Sequence, residues 1–280
     1  MGEWRINPHE NLQDVLDIAP PGTVIRLPAG VMRQNIVIRT PGITLIGAGQ
    51  DQTVLAFDRC AKDMDNVGRP LGTFRSFTLA VTAENVTLRA LTVRNDAGDP
   101  ARKGQQVGLS VYGDGFVMED CSLLSTQDTL FLGPLPLDLR LRYRDLLPEE
   151  LRRPEPLASR FLNCRIAGSV DFVFGGGSAL FENCELRSVH DGRHMGFVAP
   201  PPTIFLKPTA SFSAAAGSPP IPPFPPGAYT WPGPGGITAW LSLRIAPTAL
   251  TFTPRASTPG ARRTETRPPA SARRPRSPAG

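Results

Sequence analysis

The first thing this sequence lacks is acid in its last third. Beyond Pro200 there is no aspartate, and Glu265 is the only glutamate. Nine basic residues lie in the same stretch, from Lys207 to Arg276, so it carries +8 and leaves the first 200 residues at −3. The high isoelectric point, about 9.4, therefore belongs to the tail and gives the rest of the chain no bias toward nucleic acid or membrane surfaces. No stretch is long and apolar enough to span a bilayer. Met1–Pro8 has no apolar core of the kind a secretory leader carries, so the expectation is either a cytoplasmic chain or an export signal missing from this sequence. Cysteines number four, too few for a disulfide scaffold, and none has metal-site spacing. The histidines are His9, His190 and His194. The last two are four apart in a polar, glycine-containing stretch that reads as a solvated loop before it reads as a metal site. No metal or other cofactor is expected.

What is present is a run of short β-type segments. Residues 7–19 come first and read as a helix capped by Asn7, with Pro8 in the first turn and Leu12, Val15, Leu16 and Ala19 on one face. A helix with one apolar face, placed before strands, suits the open end of a solenoid. Then follow segments such as 23–27, 35–38, 43–46, 54–57, 77–81, 86–88, 91–93, 108–111 and 116–118. They are rich in β-branched residues and are punctuated by Gly, Pro, Asn and Asp.

An internal repeat runs through them. Phe116-Val-Met-Glu-Asp-Cys-Ser-Leu, Phe161-Leu-Asn-Cys-Arg-Ile and Phe181-Glu-Asn-Cys-Glu-Leu share an aromatic, an Asn/Asp-Cys pair and a following aliphatic. A short strand-only period predicts a stacked coil in which equivalent residues form ladders. Cys121, Cys164 and Cys184 are then small core residues. Residues 133–159 interrupt the repeat. Leu137, Leu139, Leu141 and Tyr143 alternate with charged residues, which predicts a half-buried strand or hairpin. Its arginines either line a cleft for an acidic polymer or form a solvated face.

Three segments carry chemistry: Gly104-Gln-Gln-Val-Gly-Leu109, Ser125-Thr-Gln-Asp-Thr-Leu130 and Gly168-Ser-Val-Asp-Phe-Val-Phe-Gly175. A carboxylate set between apolar residues needs hydrogen bonds or a partner. Taken singly, the glutamines could be ladder amides and the aspartates turn caps. Together, in this order and spacing, they resemble the pectin methylesterases, as do Pro21–Ile38 and Gly47-Ala-Gly49. Met32 and Gln34 stand where that family usually has Tyr and Glu. The likeness covers about residues 10–200.

The resemblance implies an all-β fold, a right-handed parallel β-helix, here with a short N-terminal capping helix and an irregular Pro-rich C-terminal tail. It implies a carboxylic ester hydrolase acting on methyl-esterified polygalacturonate. Asp171 would be the nucleophile and Asp128 the general acid and base, with Gln105 and Gln127 donating to the oxyanion. No cofactor is implied; the partner is pectin, with no nucleic acid or membrane and a monomeric chain. The family is often secreted. An inactive carbohydrate-binding remnant is the alternative, and a β-helix lyase or glycosidase a lesser one. A glycosidase would want two or three acids at one locus.

The family also carries an Arg and a Trp in a segment like Leu-Gly-Arg-Pro-Trp, and that segment is absent. Residues 1–200 read as the β-helix, and residues 201–280 as a Pro/Ala/Arg-rich tail, disordered or frameshifted. Regrouping the codons of Leu206–Phe212 by one base permits Gln-Ala-Tyr-Gly-Phe-Val-Phe. The same shift at Ala228–Gly236 permits Val-Tyr-Leu-Ala-Arg-Pro-Trp-Arg, and at Leu250–Gly260 it permits another family-like run. One shift restoring three motifs in order points to a frameshift near residues 199–204. On either reading, residues from about 205 onward are expected to add no regular coil, because Pro cannot donate to a sheet ladder. Esterase activity is expected to be impaired.

Overall fold

The computed structural model describes residues 2–135, 137–142, 144, 157–191 and 206–214. A strand β1 (Glu3–Arg5) and a helix α1 (Leu12–Ile18) precede the coils. Each coil then contributes three short strands. The first has β2 (Val24–Arg26), β3 (Gly30–Arg33) and β4 (Ile36–Ile38). The second has β5 (Thr44–Ile46), β6 (Thr53–Phe57) and, after a long excursion, β7 (Leu79–Val81). The third has β8 (Thr87–Arg89), β9 (Thr92–Asn95) and β10 (Leu109–Val111), with the four-residue helix α2 (Pro100–Lys103) between the last two. The fourth has β11 (Phe116–Glu119), β12 (Ser122–Leu124) and β13 (Leu130–Leu132). After helix α3 (Leu137–Arg142), the fifth has β14 (Ala158–Leu162), β15 (Arg165–Gly168) and β16 (Val173–Gly175). Strand β17 (Ser178–Ser188) covers in one piece what β14 and β15 cover in two, and β18 (Leu206–Ala214) lies beside it.

Every strand pairing is parallel, and like strands of successive coils are neighbours. One sheet, β4-β7-β10-β13-β16, forms one wall. The remaining strands form the other walls, joined through β17. The stacking makes the ladders foreseen from the repeat. Ile25, Leu45, Leu88, Met118, Phe161 and Phe181 are register partners in turn, and all are fully buried. Each contributes about 1.5–3 kcal/mol by leaving water. Phe161 and Phe181 stack with ring centres 4.7 Å apart.

The Asn/Asp-Cys pairs are the corners. Asp120, Asn163 and Asn183 have φ near +52°, a left-handed conformation that Asn and Asp tolerate best among residues with a side chain. The side chains form a ladder: Asn163 Nδ2 donates to Asp120 Oδ1 at 3.0 Å, and Asn183 Nδ2 to Asn163 Oδ1 at 3.4 Å. The turn aims the next residue inward, so Cys121, Cys164 and Cys184 are buried core residues, as their place in the repeat predicts.

The helix differs in its start. Asn7 and Glu10 do bond, Asn7 N–H donating to Glu10 Oε2 at 2.6 Å, but they close a separate turn. The cap is Asn11, whose Oδ1 accepts from Gln13 N–H at 3.0 Å. Leu12, Leu16 and Ala19 pack into the core from this end. Gln13 meets the bare edge of β4: its Oε1 accepts from Val37 N–H at 2.8 Å and its Nε2 donates to Val37 C=O at 3.1 Å. Gln34 ties the helix down as well, accepting from Leu12 N–H and donating to Glu10 C=O. These bonds satisfy an edge that would otherwise offer itself for pairing.

One expectation is corrected. The alternating segment 137–142 is the helix α3 and not a strand or hairpin. It holds only Leu, Arg and Asp, with no β-branched residue, and Leu and Arg are strong helix formers. Past residue 205 the described residues form one strand and no regular coil, as expected. Strand β18 pairs with β17 along its length, with Pro208 opposite Phe181. Proline is acceptable there because β18 is an outermost strand. The register slips between Glu182 and Glu185, where β18 is one residue short. The Asn-Cys corner is therefore not repeated, and the periodic signal ends at β17.

Candidate active site

The excursion between β9 and β10 delivers the first segment. Asp99 caps α2, its Oδ1 accepting from Ala101 N–H at 2.9 Å, and Gly104 ends the helix at φ +79°. Gln105 follows, half-buried, with its C=O accepting from Ala61 N–H at 2.9 Å. Gln106 N–H donates to Gln127 C=O at 3.0 Å, which lays the second segment against the first. Asp128 N–H donates to Val170 C=O at 3.0 Å, and Leu130 N–H to Phe172 C=O at 2.8 Å, which lays the third against the second. The structure thus brings all three segments onto adjacent coils.

The two aspartates occupy equivalent places. Leu130 pairs with Val173, and each aspartate stands two residues before its member of that pair. Both have left-handed backbones, φ +64° at Asp128 and +49° at Asp171. Such a conformation on two non-glycine residues costs on the order of 1 kcal/mol each and persists only where the surroundings hold it. Asp128 is 8 % exposed, whereas Gln105, Gln127 and Asp171 are half-buried. Gly168 makes the approach possible. A Cβ there would sit 2.2 Å from Phe172 Cβ and 2.5 Å from Thr129 Oγ1. Thr129 Oγ1 in turn donates to Ala167 C=O at 3.1 Å.

The sequence reading missed the wall beside this group. Phe131 and Phe174 each follow an aspartate by three residues, are register partners, and have ring centres 5.0 Å apart. Tyr112 and Phe74 also pack on Phe131, at 5.2 and 5.3 Å. The signal was available, since both motifs place Phe at the same offset from Asp. An aromatic wall excludes water and strengthens nearby electrostatic interactions. A cleft of about 530 Å³ is lined by Gln106, Ser125 and Thr126, the neighbours of Gln105 and Gln127, but not by Asp128 or Asp171.

Elsewhere the cysteines are inert. Burial pushes the Cys121 thiol up to about 12. A hydrogen bond with the Cys184 thiol and burial raise Cys164. His190 is exposed, and His194 lies outside the described residues. Arg140 and Arg142 lie on α3.

The strands define a parallel β-helix that gathers these acids and amides on adjacent coils. Residues 8–140 match the family model described as Pectinesterase. Pectinesterase 3 of Citrus sinensis is 32 % identical over 167 residues, covering 59 % of this chain and 24 % of that protein. Pectinesterase 31 of Arabidopsis thaliana is 30 % identical over 192 residues, covering 65 % of this chain and 53 % of that protein. A pectin methylesterase solved in complex with a hexasaccharide superposes with a TM-score of 0.62 at 26 % identity, over 77 % of this chain and 67 % of that one. The pectin methylesterase of Erwinia chrysanthemi gives 0.55 at 28 % identity, over 68 % and 56 %. By its β-helical part, the chain is similar to the pectinesterases. It spans between about a quarter and about half the length of these plant relatives.

Proposed function

We propose that this chain is a pectin methylesterase in design, hydrolysing methyl esters of polygalacturonate as a monomer. The observation that supports it is the equivalence of Asp128 and Asp171 on adjacent coils, with Gln127 beside one of them and Gln105 one coil away. A carboxylate oxygen of Asp171 attacks the ester carbonyl carbon. The carbonyl π electrons move to oxygen, which accepts from the Gln105 and Gln127 side-chain N–H groups. Collapse expels methoxide, which takes the Asp128 proton and leaves as methanol. The Asp128 carboxylate then removes a proton from water, and the resulting hydroxide attacks the acyl carbon. The bond from that carbon to Asp171 breaks, and Asp171 leaves as a carboxylate. The uronic acid product gives its proton to solvent, and Asp128 keeps the proton it took from water, as at the start. Two carboxyl groups in unlike surroundings suit this division of labour: Asp128 is buried, and Asp171 is more open.

The chain as written supplies no Arg-Trp segment to hold Asp171 ionised, so we propose that its turnover is impaired, with polymer binding retained. Methanol release from methylated pectin tests both statements. The chain as written should release little, and the chain read one base out of frame beyond residue 204 should release it at a rate well above buffer. Silence from both would end the esterase reading. A gene whose codons forbid the shifted motifs would end the frameshift.

A further inference from the structure

Every arginine and lysine among residues 2–135 has a carboxylate within 4.0 Å except three: Arg59, Lys62 and Lys103. These three are not scattered. Ala61, next to Lys62, donates its N–H to Gln105 C=O at 2.9 Å. Lys62 Nζ donates to Arg102 C=O at 2.8 Å, and its Cε would lie 3.7 Å from a Cβ on Gly104. Lys103 is the residue before Gly104 and is exposed. Arg59 is tied to the same region through Asn95, whose Nδ2 donates to both Arg59 C=O and Val107 C=O at 2.9 Å. The Arg59 guanidinium donates to Asn35 Oδ1 at 2.8 Å. Asn35 stands one residue before β4, as Thr129 stands one residue before β13, so it lies on the margin of the sheet that also holds the aspartates.

The nearby acids are otherwise engaged. Asp63 accepts from both the N–H and the thiol of Cys60, and Asp99 caps α2 and faces Arg102. Among residues 2–135 the other cations are thus paired with carboxylates, and the three without one lie around one of the proposed oxyanion donors, Arg59 resting over the Phe57 ring at 5.4 Å. It does so on a body whose first 200 residues carry −3, so general attraction for anions does not account for the arrangement.

We propose that Arg59, Lys62 and Lys103 form a cationic margin beside Gln105 that binds free carboxylates of a polyuronate. The site would then recognise polymer already partly de-esterified, with a charged uronate next to the ester in play. That last clause rests on the esterase reading; the anion site does not. Exposed lysines contribute through screened Coulomb attraction, so the effect must fade with salt.

The test is binding of the full chain to fully de-esterified and fully methyl-esterified polygalacturonate, at low salt and at about 0.15 M salt, where the screening length is near 8 Å. Lys62→Ala/Lys103→Ala is compared with Arg5→Ala/Arg39→Ala, which removes equal charge from carboxylate-paired positions. At low salt the first variant should bind de-esterified polymer about tenfold more weakly, with methylated polymer unaffected and the control near wild type. The difference should shrink at high salt. The proposal is overturned if wild type does not prefer the de-esterified polymer, if the control loses as much, or if the double variant loses nothing. Methanol release plays no part in this readout, so absence of esterase activity would leave the anion site standing.

Discussion

Asp128 and Asp171 lie on neighbouring coils at the same distance from register-paired Leu130 and Val173, and the Asp128 N–H donates to the carbonyl of Val170, the residue before Asp171. Neighbouring strands lie about 4.8 Å apart, so two acids placed this way stand on one rung spacing. Their shared left-handed backbone means that the same local turn presents both. A single repeat geometry, used twice, produces the pair.

Each aspartate should be separable from the fold. In the chain with the restored reading frame, Asp171→Asn should abolish methanol release, and Asp128→Asn should slow it by about 10² to 10⁴. Asn tolerates the left-handed backbone as Asp does, so circular dichroism and the unfolding midpoint should hardly move. Full activity in either variant would remove that residue from the mechanism.

Gly168→Ala should damage the site through the backbone. Its added Cβ would meet Phe172 Cβ, Thr129 Oγ1 and Thr126 C=O at 2.2, 2.5 and 2.7 Å. None of these is the far end of a flexible chain, so the coil carrying Asp171 must shift. A loss of about 1–3 kcal/mol in chemical denaturation is expected, the usual cost of overpacking. A change of no more than a few tenths would show that the coil gives way cheaply.

The cysteines should be silent until the protein unfolds. Cys60, Cys121, Cys164 and Cys184 are all buried, and desolvation holds the Cys121 thiol near 12, far above neutral pH. The thiolate is the reactive form. Native protein at pH 8 should therefore show slow alkylation at all four sites, and denatured protein rapid alkylation. Fast labelling of Cys121, Cys164 or Cys184 in the native state would mean that the core ladder opens.

The loop at residues 63–75 should loosen in acid. Asp65 lies below the usual carboxylate range, first because it accepts from Arg69 N–H, with Val67 N–H and the Arg69 guanidinium adding to this. A depressed acid stabilises the fold above its ordinary value of 3.8 and loses that contribution as pH falls through its lower native value. Amide exchange at Val67 and Arg69 should rise below about pH 4 in wild type. In Asp65→Asn it should be independent of pH over that range once intrinsic exchange is removed. Exchange in wild type that stays flat through this window would count against the assigned bonds.

The β-helix was legible in the residues because a stacked coil repeats one environment. An aromatic, a turn-forming Asn or Asp and a buried small residue recur wherever the chain meets that environment, and Phe161 and Phe181 show it in their sequence before they show it in their stacking. The motif aspartates were legible for the same reason, as exceptions set into an apolar pattern. Other features were hidden because they depend on what a distant segment leaves open. The start of α1 depends on where Gln13 must reach the edge of β4, and the strand at 206–214 on the free edge of β17. The choice of helix at 137–142 reflects intrinsic preference overriding an alternating pattern. The three cations without a carboxylate partner belong with these, since a missing ion pair is a statement about the carboxylates that fail to reach it, and only folding brings Arg59 and Lys62 to the neighbourhood of Lys103 and Gln105.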